Sequence, residues 1–405
     1  MAGQITLVNG GSVTSPRGFQ AGATYAGLKT FAEDKLDLGL IISEAACSAA
    51  GVYTQSSIKS PSVTVTQEHV RAGAVRAVVV NAGIANCSVG IQGYTDAKEM
   101  TALAAKKLGL SSDEVAVCST GVIGVELPMS LIRDGLENIK LANEGGHELA
   151  RAMMTTDTRP KEVAVSFELD GRSVQMGGVT KGSGMIHPNM ATMLSFVTTD
   201  AAVEKDFLDA TLREVADSSF NMMTVDGDTS TNDTLLVLAN GLAENQPINA
   251  NSPDAAVFKQ ALMEVCVHLA REMARDGEGA TKLITVDVLG AADLSDARIA
   301  ARTIASSNLI KSAVHGSDPN WGRLMMALGR SGAVVEEAKV DLFINGVCIM
   351  EEGKPVPFHR DAVVALMRQL EVTFRVNLNL GSAEATAWGC DLTEEYVIIN
   401  SAYTT

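Results

Sequence analysis

Apolar and polar positions alternate most regularly over residues 162–169, where Val163, Val165, Phe167 and Leu169 fall on one face. Asp170-Gly171 follows and a second run covers 173–180, so the pattern predicts a β-hairpin closed by a tight turn. Shorter β-rich runs at 38–42, 62–66 and 75–81 read as strands, the continuous apolar stretch 77–80 being of the buried kind. Further strands are expected at 115–118, 193–198, 234–239, 283–289, 372–379 and 395–400. Helical spacing appears between them. Residues 95–108 read as a helix capped by Thr95 and stopped by Gly109, and 203–218 carries a stripe of Phe207, Leu208, Thr211, Leu212 and Val215. Other helices are expected over 128–139, 144–154, 295–306 and 361–370, with a long one capped by Ser252 and opened by Pro253 that runs to Arg275. The segment GSDPNWGR reads as a loop, and Asn345-Gly346 as the turn of a second hairpin. Strands and helices interleave without the regular period of a barrel or a doubly wound sheet. The expected class is therefore mixed α/β, with largely antiparallel sheets layered with helices and no sharp domain boundary.

Composition narrows the function classes. The 405 residues are 46% hydrophobic, enough for a sizeable core, and carry a net charge of -16. An acidic chain with no basic run argues against a nucleic-acid or anionic-membrane surface. With aromatics at 4%, base-stacking platforms are not expected either. No apolar run is long enough to span a bilayer and the first residues do not resemble a secretion signal, so a cytoplasmic location is expected. Six widely separated cysteines and six histidines show no metal-ligand spacing, so neither a metal nor any other cofactor is expected. The cysteines read as small buried hydrophobes.

The chemistry concentrates in Lys181–Leu194, KGSGMIHPNMATML. Lys181 precedes the glycines and no helix follows, which excludes a Walker loop. DGDTSTND begins like a calcium loop, but Thr231 stands where a glycine is required and Val237 where a glutamate is required. No GxSxG elbow marks a Ser-His-Asp triad. What remains is a hydroxyl nucleophile. Thr192 follows Ala191 and could attack the carbonyl before it, becoming an N-terminal residue whose own amine serves as base. Spacing alone favours an ordinary glycine-rich turn. STG (Ser119, Thr120, Gly121) at a strand end offers backbone N–H groups and hydroxyls for an oxyanion hole. Lys181 could bind a carboxylate, and Glu278 in DGEGATK could hold an ammonium group.

STGVIG, MTTDTRPK, KGSGMIHPNMATML, DGDTSTNDT, DGEGATKLITV, GSDPNWGR and YVIINSAYTT, in that order along the chain, closely resemble the glutamate N-acetyltransferase / ornithine acetyltransferase family of arginine biosynthesis. The resemblance implies a self-processing, N-terminal-nucleophile-like fold of the ornithine acetyltransferase/aminopeptidase type. It implies cleavage between Ala191 and Thr192 into an α chain, 1–191, and a β chain, 192–405, assembled as α2β2. It also implies a ping-pong reaction in which Thr192 takes acetyl from N-acetylornithine and passes it to glutamate, acetyl-coenzyme A being a further candidate donor. Residue by residue, it makes Thr192 the nucleophile, gives Thr120 and Gly121 to the oxyanion hole, and makes Lys181, one of Thr155 and Thr156, Glu278, Asn400 and Thr405 substrate contacts. Ile84 and Ala402 depart from the family pattern. Two other readings compete: a self-processing aminopeptidase or amidase, which passes its acyl group to water, and a non-catalytic binding protein on the same scaffold. The second would be expected to have lost Thr192 or Lys181, and both are present.

Overall fold

The structure, a computed structural model, describes residues 5–29, 35–73, 75–187 and 193–402. Ala191, Thr192 and Thr405 lie outside the described residues. The expected 162–180 hairpin forms the centre, as strands Lys161–Leu169 and Arg172–Lys181 joined at Asp170-Gly171. They belong to a six-stranded sheet in the order Thr6–Leu7, Lys161–Leu169, Arg172–Lys181, Leu194–Thr199, Thr234–Ala239, Ser48–Tyr53. Only the Leu194–Thr199 and Thr234–Ala239 pair is parallel within it.

Both faces of this sheet are covered. On one face lies the long helix Ala255–Arg275, whose Leu262, Val265, Leu269 and Met273 are fully buried among Val163, Val165 and Phe167 of the hairpin. The approach is so close that a Cβ on Gly178 would stand 2.8 Å from Val265 and 2.9 Å from Leu269. On the other face, Val179, Phe196 and Leu236 pack against Ile41, Val78 and Val80 of a four-stranded sheet: Phe19–Thr24, Leu38–Ser43, Ala77–Ile84, Val115–Val122. Helices Pro61–Ala72, Ile91–Leu108 and Met129–Asn138 cover the outside of that second sheet. A third, six-stranded sheet, including Leu283–Ala291, Glu371–Asn377 and Ala383–Cys390, completes the core beyond the long helix. Burying one such Leu, Ile or Phe contributes about 2 kcal/mol, so these layers supply most of the stability. The mixed α/β class with mainly antiparallel sheets is thus observed.

Several local expectations are corrected. Residues 62–66 belong to the helix Pro61–Ala72: the Ser60 hydroxyl accepts from the Ser62 N–H, Pro61 pre-sets φ, and Gly73 ends the helix at φ +86°. Residues 395–400 are helical too, within Glu394–Ala402. Thr95 lies inside the helix Ile91–Leu108, and the long helix starts after Asp254, with Ser252 and Pro253 in the preceding turn. GSDPNWGR holds the start of a helix, Trp321–Gly329, after a further helix, Asn308–His315. All six cysteines are free, five of them buried. Among the described residues no helix is long and apolar enough to cross a membrane.

Candidate active site

Lys181 ends one central strand and Leu194 begins the next, and the two pair in register. The glycine-rich stretch therefore leaves and re-enters the sheet at one point, on the wall of a cavity of about 100 Å³. Thr120, Gly121, Thr155, Thr156, Lys181, Met193, Asp233, Glu278 and Asn400 all line it. Seven of the nine named from sequence as catalytic or substrate contacts, all but Thr192 and Thr405, are thus gathered on one cavity. Met193, the residue after Thr192, lies on the wall.

Each side chain is held for a reason. Gly182 takes φ +146°, and its N–H donates to Asp157 Oδ1 at 2.7 Å. Gly184 leaves room for Glu278: a Cβ there would stand 2.4 Å from the carboxyl carbon. The Glu278 N–H donates to the Ser183 carbonyl at 2.9 Å. KGSG and DGEGATK are thus two halves of one clamp. The Glu278 carboxylate accepts from Thr156 Oγ1 at 2.7 Å and from Asn400 Nδ2 at 2.7 Å. Thr155 also lines the cavity, with its N–H bonded to Asp157 at 2.9 Å.

Lys181 is 8% exposed, and its ammonium donates to Thr120 Oγ1 at 3.2 Å. Burial pushes its pKa down, while Asp157 and Glu278 support the charged form. Behind it, Lys161 donates to Asp157 and Asp276, both at 2.6 Å, in a buried cluster. Asp157 stays well below the usual carboxylate range despite full burial, because Lys161 and Lys181 hold its charge.

At the opposite wall, the Val115–Val122 strand ends in Ser119-Thr120-Gly121. Of the two hydroxyls, Ser119 turns away to Ser62 Oγ, 2.9 Å away, and only Thr120 faces the cavity. Gly121 adopts φ +128° and passes so close to the neighbouring strand that a Cβ would stand 2.2 Å from the Gly83 carbonyl carbon. No other residue fits there.

Sequence reasoning missed the supports. Asp226 accepts from the Met185 and Ile186 N–H groups at 2.6 and 2.9 Å, fixing the glycine-rich stretch from DGDTSTND. From the same segment, Asn232 Nδ2 donates to the carbonyls of Ala85 and Ser119 at 2.6 and 2.8 Å, tying it to the Thr120 wall. His187 is held between Thr224 Oγ1 (2.9 Å) and Arg302 (3.1 Å), and burial, with Arg302 adding to it, lowers its pKa to about 4. It is neutral at pH 7 and serves as a post. The only signal for these residues was the density of capping types in DGDTSTND.

A small cavity with a buried cation, a hydrogen-bonded carboxylate, and a glycine-kinked strand end carrying a hydroxyl has the groups needed to hold a small ligand bearing both charges. Comparison with known proteins identifies the family. The model of the ArgJ family matches residues 20–405, and the chain belongs to that family. It is 48% identical over 405 residues, all of both chains, to the arginine biosynthesis bifunctional protein ArgJ of Dehalococcoides mccartyi. It is 52% identical to that of Symbiobacterium thermophilum over 397 residues, 98% of this chain and 99% of the relative. Among solved structures, the arginine biosynthesis bifunctional protein ArgJ of Bacillus halodurans matches with a TM-score of 0.51 and 44% identity, covering 51% of this chain and 98% of that one.

Proposed function

We propose that the protein is an acetyltransferase of arginine biosynthesis, moving acetyl from N-acetylornithine to glutamate through an acetyl ester on Thr192. The observation that carries this reading is the cavity, where Lys181, Glu278 and the Thr120–Gly121 strand end meet the wall formed by Met193, one residue from Thr192. Donor and acceptor are both amino acids. Lys181 takes the α-carboxylate, and Glu278, already a double acceptor, takes an ammonium or amide N–H. Thr192 Oγ attacks the acetyl carbonyl, and the resulting oxyanion is held by donors at Thr120 and Gly121. The Thr192 amine takes the hydroxyl proton and returns it to the departing ornithine nitrogen. Glutamate then reverses these steps and leaves as N-acetylglutamate, so the reaction is ping-pong. Acetyl-coenzyme A is a further candidate donor.

The amine becomes free through self-cleavage at Ala191–Thr192, giving chains 1–191 and 192–405 that stay folded together. Pairing of Lys181 with Leu194 supports this, because the strands on either side of the cut remain bonded in one sheet. So does the Bacillus halodurans structure, in which nearly a full chain corresponds to about half of this one. The assembly is α2β2. Denaturing electrophoresis tests the reading: the purified protein should run as two fragments, and Thr192→Ala as one uncut, inactive chain. An uncut wild-type chain, or an active Thr192→Ala, would refute it.

A further inference from the structure

One wall group has no place in that scheme. Asp233, at the entrance to the strand Thr234–Ala239, is 1% exposed, and its Oδ2 has no hydrogen-bond partner among the described residues. Its backbone is fixed from both sides: the Thr54 N–H donates to the Asp233 carbonyl at 3.0 Å, and the Thr234 N–H to the Met193 carbonyl at 2.7 Å. An orphaned buried carboxyl oxygen on a cavity wall is costly to keep, and such groups concentrate where chemistry is done.

Its location points to which chemistry. The Met193 N–H is directed at the Asp233 carboxyl. The Thr192 nitrogen is joined to the Met193 nitrogen through two backbone carbons, so standard bond lengths keep the two within about 4 Å of each other. Asp233 therefore receives the N–H of the residue that directly follows the bond that must break. The charged groups around it are few. Lys181 faces it from the end of the central hairpin, and Glu278 lies on the same cavity; the Ser230 hydroxyl is also close. Burial outweighs Lys181, Ser230 and the Met193 N–H together, and pushes the carboxyl well above the usual range.

We infer that Asp233 is the proton carrier of the self-cleavage step. The inference rests on the Thr192 reading above. As Thr192 Oγ attacks the Ala191 carbonyl carbon, one Asp233 oxygen accepts the hydroxyl proton and the other delivers its own proton to the Thr192 nitrogen. The C–O ester bond forms, the C–N bond breaks, and the carboxyl ends neutral as it began. Water then hydrolyses the ester, its OH going to the Ala191 carbonyl and its proton to Oγ.

The test is a cleavage time course on the full-length chain carrying Asp233→Asn, which preserves shape but carries no exchangeable acid. General acid–base catalysis is worth about 100-fold or more, and cleavage should slow by at least that factor while the melting curve stays close to wild type. Cleavage of D233N at the wild-type rate would overturn the inference. Because D233N could instead misfold, a second measurement uses the uncut Thr192→Ala chain. Its infrared spectrum at about pH 8, where ordinary carboxyls are ionised, should retain the carbonyl band of a neutral carboxylic acid. Absence of that band would equally overturn it. If the wild type is cut, Thr192→Ala is not, and D233N cuts normally, the inference alone falls. If the wild-type chain is never cut, the underlying reading falls.

Discussion

The two sides of the cavity are built on opposite terms. On the side of Lys181 and Glu278 the carboxylates are satisfied: Asp157 accepts from Lys161 and Gly182, Asp276 from Lys161, and Glu278 from Thr156 and Asn400. On the side of Thr120 and Gly121 the backbone is bent into a conformation reserved for glycine, and Asp233 keeps an oxygen with no partner among the described residues. The difference teaches where each task resides. A fully bonded wall is rigid and suits holding a substrate, whereas one with strained backbone and a spare oxygen has free valence for a reaction.

Substitutions should break the two sides differently. The largest effect is expected from Lys161→Met, which leaves Asp157 and Asp276 buried without their cation. Removing one partner of a buried charge cluster costs about 3–5 kcal/mol, and calorimetry should show a marked fall in melting temperature. Gly121→Ala forces the Thr120–Gly121 strand end off Gly83, so it should lower the melting temperature and, by moving an oxyanion donor, cost about 100- to 1000-fold in kcat in the transfer assay. Glu278→Ala removes an acceptor of two hydrogen bonds and, for a substrate cation, a charge. Loss of a charged hydrogen bond costs about 1.5–3 kcal/mol, and the effect should appear mainly in KM. Asn400→Ala, which removes one donor from an exposed helix, should raise KM by less than about tenfold.

A separate effect, confined to acid pH, is a pH dependence from His187. Its pKa falls from 6.5 unfolded to about 4 folded, so the unfolded chain binds the extra proton first. Stability from this group is complete above 6.5 and is lost as pH falls from 6.5 towards 4. Denaturant titrations should show that slope in the wild type and a flatter one in His187→Gln.

The same contrast marks what was legible in the sequence. The hairpin was readable because its alternation and Asp170-Gly171 are local signals, and the Lys181 strand end came with it. The helix Pro61–Ala72 was misread because Val63, Val65 and the intervening threonines alternate like a strand, while the cap at Ser60 and Pro61 decides the conformation. The helix Glu394–Ala402 was misread for a similar reason: Val397, Ile398 and Ile399 favour strands, yet the segment buries none of its residues. It is tied down instead by Asn400 to Glu278 and by Thr393 Oγ1 to the Gly279 carbonyl. Asn232 and Asp233 carried only the capping-rich composition of DGDTSTND, which does not show what they hold, since such roles depend on partners up to 147 positions away.

The central claim is that one hydroxyl, that of Thr192, receives the acetyl group. The direct measurement is mass spectrometry of the wild-type enzyme mixed with N-acetylornithine in the absence of glutamate, then quenched and digested. The account predicts one added acetyl group on the peptide whose first residue is Thr192, discharged when glutamate is supplied. An unmodified Thr192 peptide in an enzyme that still transfers acetyl, or an acetyl group on another residue, would contradict it.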